Sequence, residues 1–306
     1  MQLPKHVEII EVGPRDGFQS IKEFIPTQTK LEIIDTLLEA GIQEIELTSF
    51  VNPKAIAQMA DASEIVQTIL NSSRKPVRPI ALVPNLKGAQ NAYECGIRVA
   101  SLVISVSESH NKANVNRTIA ESFADFKNII TEFSDLKIRL DIATAFGCPF
   151  EGFPSEKNVI DLMKQGINAG AAEIVICDTI GIANPQKVSS LCEKVLQVSS
   201  VPIALHFHDT RGMGLANILA GFQSGIFRFE TSVGGLGGCP FAPGAAGNTA
   251  SEDAVNMFAS MGIDLGLNLV KYLSAVDIVK KRIKPDLTSR MGFAHLYEFE
   301  NPKSGK

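Results

Sequence analysis

The sequence predicts an α/β protein, a (β/α)8 TIM barrel with extra C-terminal helices. Short runs rich in β-branched residues alternate eight times with amphipathic stretches, and 306 residues suit one such barrel with an extension. No segment is rich enough in Pro, Gly or Ser to divide the chain. We therefore expect one domain over residues 1–306, with the barrel at about 5–262 and a helical extension at about 263–297.

The predicted strands are short apolar runs, each followed by a pattern of helical period. They are Val7–Glu11, Glu44–Thr48, Arg78–Leu82, Ser101–Val106, Lys137–Ala143, Glu173–Cys177, Ile203–Phe207 and Arg228–Val233. Thr27 is expected to cap the first helix, and Leu31, Ile34 and Leu38 form its apolar face. Gly41 ends the helical pattern.

Later helices carry their own signals. Asp61, Ser155 and Asn184 are predicted to cap three of them. A helix near Ala250–Met261 follows the eighth strand, and a further helix near Leu267–Lys280 is expected to pack across the barrel.

Composition excludes several classes of protein. The hydrophobic fraction is 45%, and no apolar run approaches the roughly 20 residues that span a bilayer. A net charge of −4 and a pI near 5.8 give no basic field for nucleic acid. No secretory or transit signal is recognised, so a cytoplasmic setting is the default expectation. The tail Glu298–Lys306 is expected to be mobile.

Cysteine usage argues against two further arrangements. An odd number of cysteines without CxxC spacing is unlike a disulfide framework or a structural zinc site. We expect most of them to be reduced and buried; they are Cys95, Cys148, Cys177, Cys192 and Cys239.

Two histidines mark the end of the seventh strand. His206 and His208 are two residues apart, so a strand directs both imidazoles to the same face. Two imidazoles with a nearby carboxylate form a typical divalent-metal site. The alternative is a helix-capping turn with one buried, hydrogen-bonded imidazole.

Reactive groups also follow other strands, at the barrel end where active sites of this fold lie. Chance would scatter them over both ends of the barrel. They are Gly13–Gln19, Glu46, Thr48, Ser49, Ser105, Glu108, Asp178, Thr179, Gly234–Pro240 and Asn248.

The segments Glu11–Gly17, His206–Thr210 and Gly234–Pro240 resemble the motifs of hydroxymethylglutaryl-CoA lyases, part of a wider group of metal-dependent barrel lyases, aldolases and condensing enzymes. The resemblance runs from about residue 7 to 280. It also includes Glu46–Val51, Phe146–Pro149, Asp178–Gly181 and Gly247–Asn248. The loop with Cys239 narrows the resemblance to the lyases.

The resemblance assigns metal binding to Asp16, His206, His208 and Asn248. Two nitrogens, a carboxylate and an amide oxygen leave open positions on an octahedral Mg²⁺ or Mn²⁺ for substrate oxygens. The implied activity is retro-Claisen cleavage of (S)-3-hydroxy-3-methylglutaryl-CoA to acetyl-CoA and acetoacetate, a step of leucine degradation and ketone-body formation.

Five residues are predicted to be catalytic. Arg15 supplies charge where the enolate oxygen develops, or is a structural ion-pair partner of Glu46. Glu46 orients Arg15 or a metal-bound water. By resemblance, Cys239 protonates the departing enolate. His206 or Asp16 accepts the hydroxyl proton, and the sequence does not decide between them.

Substrate contacts are predicted for Arg15, Gln19, Arg139, Asp178 and Thr179. Arg139 is equally compatible with a structural ion pair, and Asp178 and Thr179 with support of the metal ligands. Polar contacts with CoA or substrate are further considered for Asn85, Ser107 and Glu108.

Three departures from the family pattern bear on the acyl group. Pro53–Ala55 lacks the usual tryptophan, Cys177 replaces a glycine, and Glu230 replaces an aspartate. The alternatives are therefore a lyase for another 3-hydroxy-3-alkylglutaryl-CoA, a related metal-dependent aldolase or condensing enzyme, or a non-catalytic CoA- or metal-binding protein. The expected partners are an acyl-CoA substrate and a second copy in a homodimer, with neither nucleic acid nor membrane.

Overall fold

Eight parallel strands close into a barrel in which each strand pairs with the next and β8 pairs with β1. The computed structural model describes residues 6–72, 77–238 and 247–294. The strands are β1 (Glu8–Glu11), β2 (Glu44–Ser49), β3 (Arg78–Leu82), β4 (Val99–Ser105), β5 (Lys137–Ala143), β6 (Glu173–Asp178), β7 (Ile203–Phe207) and β8 (Arg228–Thr231). The predicted fold class is confirmed.

Helices separate consecutive strands and cover the outside of the barrel. They are α1 (Thr27–Glu39), α2 (Ala62–Leu70), α3 (Leu86–Glu94), α4 (Glu108–Val115), α5 (Ile119–Glu132), α6 (Glu156–Ala169), α7 (Pro185–Val198), α8 (Gly214–Gln223), α9 (Ser251–Ser260) and α10 (Leu269–Arg282). Helices α9 and α10 lie on either side of the predicted boundary near residue 262.

Two of the four predicted helix caps are confirmed. The side chains of Ser155 and Asn184 accept the backbone N–H groups that begin α6 and α7. The prediction for Thr27 is wrong, because Thr27 is the first residue of α1 and not its cap. Asp61 stands at the predicted cap position of α2 but accepts no N–H group of that helix, because its carboxylate binds the hydroxyl of Thr27 at 2.9 Å. The carboxylate of Asp61 also pairs at 2.9 Å with the buried ammonium of Lys30, which needs a counter-charge more than the helix needs a cap.

Helix α10 packs against α1 and against the turn that follows β8, at the seam where the barrel closes. The hydroxyl of Tyr272 on α10 donates to the buried carboxylate of Glu11 on β1. That carboxylate also accepts Gly13 N–H at 2.7 Å and Val233 N–H at 2.9 Å. Glu11 therefore joins the two ends of the barrel sheet to the last helix. The predicted mobile tail lies outside the described residues.

The barrel interior has an apolar layer and charged layers. Ile10, Ile80, Val99, Val175 and Ala204 belong to one buried apolar cluster. Ion pairs close the amino-terminal end of the strands, among them Arg228–Glu44 at 2.7 Å and Arg228–Glu173 at 2.9 Å. No helix within the described ranges is long and apolar enough to cross a membrane.

Candidate active site

Three predicted ligands meet at the carboxyl ends of the strands. Ligand atoms of Asp16, His206 and His208 all lie within 4.8 Å of one another. The two imidazole rings are 5.1 Å apart at their centroids, and His208 Nε2 lies 4.0 Å from Asp16 Oδ2. Burial and the neighbouring His206 lower the pKa of His208 to about 4, so its imidazole is neutral near pH 7 and available to a cation.

A short π-helical turn, Gly13–Gly17, carries Asp16 to this point directly after β1. Its first position must be glycine, because a Cβ there would meet Glu11 Oε1 at 2.5 Å and Val233 Cγ1 at 2.7 Å. Although burial favours the neutral acid, Arg15 and the two histidines hold the pKa of Asp16 below its usual value. Asp16 is therefore ionised at neutral pH.

Arg15, on the same turn, is held between two carboxylates. Its Nε donates to Glu46 at 2.5 Å and its Nη1 donates to Asp16 at 2.6 Å. Burial alone would lower the pKa of Arg15, but Glu46 and Asp16 raise it above its ordinary value. Arg15 is thus a fixed positive charge, 8% exposed, beside the predicted ligands. The ion pair with Glu46 exists, and the catalytic role of Arg15 stays a prediction.

Glu230 fixes the ring of His206. Its carboxylate lies 3.0 Å from His206 Nδ1, which leaves Nε2 to face the cleft. The other oxygen of Glu230 accepts Arg139 Nη2 at 2.6 Å. Burial opposes ionisation, but Arg139 and His206 together lower the pKa of Glu230 to about 2. A carboxylate is therefore maintained behind this imidazole.

Asn248 comes from the segment beyond the glycine-rich loop. Its Nδ2 donates to Asp16 Oδ2 at 2.7 Å and to Leu236 C=O at 2.9 Å, while a bridge joins its backbone to His208. Gly237, with φ at 136°, packs against the amide so closely that a Cβ would lie 2.4 Å from Nδ2. The loop thus orients Asn248 through contacts that only glycine permits.

These residues fit a divalent cation. Asn248 Oδ1 is buried and has no hydrogen-bond partner among the described residues, although its Nδ2 has two acceptors. An amide oxygen in this state suits a hard cation, and the three ligand atoms of Asp16, His206 and His208 already cluster. All four predicted ligands are therefore brought together.

Three predicted substrate contacts bind other parts of the protein. Arg139 has no exposed surface and donates to Glu173 at 3.1 Å as well as to Glu230. Both oxygens of Asp178 accept backbone N–H groups of the loop before α7, and Thr179 Oγ1 accepts Thr144 N–H at 2.7 Å. These bonds shape the mouth of the barrel; direct contact with substrate stays a prediction.

The residues considered for CoA contacts also cap helices or loops. Asn85 and Ser107 accept the first N–H groups of α3 and α4, and Glu108 accepts Ile119 N–H at 3.2 Å. Gln19 is half-buried beside the π-helical turn. Cys239, the predicted proton donor, lies outside the described residues.

Glu252 supports the loop that leads to Cys239. Both of its carboxyl oxygens lie 3.1 Å from Gly234 N–H, and burial raises the pKa of Glu252 to about 8. Between its ordinary pKa and pH 8 the folded protein keeps this proton while the unfolded chain loses it. Stability therefore falls as pH rises through this interval.

We predict that Glu252→Gln, which mimics the protonated acid, removes this decrease in stability with rising pH. The difference in free energy of unfolding between variant and parent should grow with pH from 5 to 8, by up to about 1.4 kcal/mol per pH unit. Urea denaturation at several pH values measures it. Glu64→Gln, on an exposed face of α2, is the control. A difference that does not change with pH contradicts the prediction.

The sequence motifs do not reveal the roles of two interior residues. Glu230 stands out only as a departure from the family pattern, and Asp141 belongs to no motif. The alternation on β5 contains a signal, because Arg139 and Asp141 share a face and two charged residues on an inward face are unusual.

The fold and the site together define a class, the (β/α)8 barrel enzymes with a cluster of candidate metal ligands at the carboxyl ends of their strands. The family model described as HMGL-like matches residues 6–279. The chain belongs to the HMGL-like family, which confirms the resemblance seen in the motifs.

Several relatives match over nearly their whole length. A hydroxymethylglutaryl-CoA lyase of Bacillus subtilis is 42% identical over 293 residues, 95% of this chain and 97% of that protein. An (R)-citramalyl-CoA lyase of Chloroflexus aurantiacus is 38% identical over 299 residues, 94% of each chain. An HMG-CoA lyase structure from Acinetobacter baumannii, in complex with coenzyme A and 3-methylmalate, has a TM-score of 0.92 at 39% identity and covers 96% of this chain and 97% of that one.

Proposed function

We propose that the protein is a hydroxymethylglutaryl-CoA lyase, a carbon–carbon lyase that cleaves (S)-3-hydroxy-3-methylglutaryl-CoA to acetyl-CoA and acetoacetate. The observation that carries the proposal is the meeting of Asp16, His206 and His208 beside the fixed charge of Arg15. Curated hydroxymethylglutaryl-CoA lyases at about 40% identity over most of the chain support it.

The reaction separates charge. The tertiary hydroxyl loses its proton, the bond between C2 and C3 breaks, and its electron pair passes to a thioester enolate that is then protonated at carbon. Asp16, His206, His208 and Asn248 would hold Mg²⁺ or Mn²⁺, which when bound supplies Lewis acidity toward the substrate oxygens.

Arg15 stabilises the enolate oxygen in this proposal. Its guanidinium is ionised, desolvated and held by Glu46, so it needs little reorganisation as negative charge develops. Glu46 is then a positioning residue. Glu230 has the corresponding role for His206, and Arg139 holds Glu230.

Two protons must move. Asp16 or His206 accepts the hydroxyl proton, since both face the predicted ligand site. Cys239 returns a proton to the enolate carbon, a role proposed from the family motif around it. The glycines before it, Gly234 to Gly238, permit the loop to close over substrate and to exclude water from the carbanion.

The acyl group is open to a second candidate. The (R)-citramalyl-CoA lyase matches at 38% identity over almost the whole chain, and Cys177 and Glu230 depart from the family pattern. A difference of one methylene between two substrates changes the free energy that discriminates them by only about 1–3 kcal/mol. Another hydroxyacyl-CoA is therefore the alternative substrate.

A coupled assay tests the proposal. Purified protein with added Mg²⁺ or Mn²⁺ should release acetyl-CoA and acetoacetate from hydroxymethylglutaryl-CoA, and a chelator should abolish release. Citramalyl-CoA in a parallel assay tests the second candidate. Release from neither thioester, with condensation in the reverse direction instead, would identify a condensing enzyme; no turnover in either direction would favour a binding protein.

We also propose a cytoplasmic setting and a homodimer. The bacterial relative supports the first. The second is an expectation from the family resemblance, and light scattering on the purified protein measures the oligomeric state.

A further inference from the structure

The barrel interior holds a carboxyl group that the proposed mechanism does not use. Asp141 lies on β5 two residues beyond Arg139, on the strand face that Arg139 directs into the barrel toward Glu230. Arg139 has no exposed surface, whereas Asp141 and Arg15 keep 4% and 8% exposed. Asp141 therefore lies one step nearer the mouth, at the floor of the cleft.

The charged groups near Asp141 belong to the site. Those whose charge acts on its carboxyl are Glu230, Arg139, Glu46 and Arg15, and its own charge acts on Cys177. Both arginines bind other carboxylates. Among the described residues, Oδ1 of Asp141 is buried and has no hydrogen-bond partner.

A buried polar atom without a partner is costly unless a ligand or water meets it. Burial, followed by the carboxylate of Glu230, raises the pKa of Asp141 well above its usual range. Both effects favour the protonated carboxyl group, which has an O–H to donate, over the carboxylate. Such a donor can bind an oxygen of an anionic substrate without adding repulsion.

We propose that Asp141 is a substrate-binding residue that donates a hydrogen bond to an oxygen of the acyl part of the CoA thioester. This inference rests on the proposed lyase function. The acceptor is the thioester carbonyl oxygen or the terminal carboxylate oxygen. Cleavage places these two oxygens in different products, acetyl-CoA and acetoacetate, so the products report which one is bound.

The test uses the metal-loaded enzyme and two variants of similar side-chain size. Asp141→Leu removes the donor, and Asp141→Asn keeps one. We expect the leucine variant to lose kcat/KM and to raise the inhibition constant of one product by roughly 10- to 100-fold. The asparagine variant should stay close to the parent. Circular dichroism and thermal melting check that each variant folds.

The outcomes separate the explanations. If only the inhibition constant of acetyl-CoA rises, the acceptor of the hydrogen bond is the thioester oxygen. If only that of acetoacetate rises, the acceptor is the carboxylate oxygen. If kcat/KM and both product inhibition constants are unchanged in the leucine variant, the proposal is overturned. If the melting temperature of that variant is also lower, Asp141 has a structural role instead. If that variant does not fold, Asp141→Ala replaces it.

Failure of the lyase function has a different signature. The parent enzyme would then release neither product from an acyl-CoA thioester. Calorimetric binding of acetyl-CoA and of acetoacetate to the parent and to the leucine variant would still test Asp141, since equal affinities of the two proteins for both ligands overturn its role.

Discussion

Replacing Arg15 by glutamine should lower kcat by about 10²-fold or more while the protein remains folded and retains its metal affinity. The guanidinium is buried and held by Glu46 at 2.5 Å and Asp16 at 2.6 Å, so glutamine removes a fixed positive charge from the place where the enolate oxygen is proposed to develop. Steady-state kinetics with hydroxymethylglutaryl-CoA, together with a Mn²⁺ binding titration, separate loss of catalysis from loss of metal.

Two further variants make this prediction sharp. Removing Arg15 alone leaves Glu46 buried without its cation, which can cost about 3–5 kcal/mol of stability. The double variant Arg15→Gln with Glu46→Gln avoids that penalty and should be equally inactive. Arg78→Gln removes an arginine that pairs with Glu44 at the opposite end of the barrel and should retain turnover. Unaltered turnover in Arg15→Gln would remove this residue from the mechanism.

The barrel was predictable because each strand is a short apolar run that can be recognised from its own residues. Arg78–Leu82, Lys137–Ala143 and Ile203–Phe207 begin and end at the predicted residues. The last strand was predicted to reach Val233 but ends at Thr231, because Val233–Gly235 forms a 3-10 turn that binds Glu11 and Glu252. Those partners are distant in sequence, so local patterns do not reveal them.

The same limit explains which parts of the site were predictable. His206 lies on β7 and His208 directly follows that strand, and their spacing alone predicts that they converge. The bonds from Glu230 to His206 and to Arg139 join three strands, and only the register of the closed barrel brings them together. The hydrogen bond between the side chains of Thr27 and Asp61 likewise joins two helical segments that are distant in sequence.

Removing a histidine from the cluster should abolish metal-dependent activity. We expect His206→Ala to lose about 10³-fold or more in kcat/KM at fixed metal concentration, since Lewis acidity is worth several kcal/mol of transition-state stabilisation. The affinity for Co²⁺, followed by its visible absorption spectrum, should fall with the activity. Circular dichroism of the metal-free protein should be unchanged, because His206 lies at the end of β7 rather than in its apolar core.

Glu230 offers a graded comparison for the same ligand. Glu230→Gln keeps the shape of the side chain but not its charge, and should weaken Co²⁺ binding by about 10- to 100-fold, less than His206→Ala does. Because the carboxylate lies 3.0 Å from His206 Nδ1 and 2.6 Å from Arg139, the change removes the anion that fixes the imidazole while leaving Nε2 in the cleft. Saturating metal should then restore much of the activity of Glu230→Gln but not that of His206→Ala. Equal Co²⁺ affinities in the parent and in both variants would place the cation elsewhere, and the proposed roles of Asp16, His208 and Asn248 as ligands would fall with it.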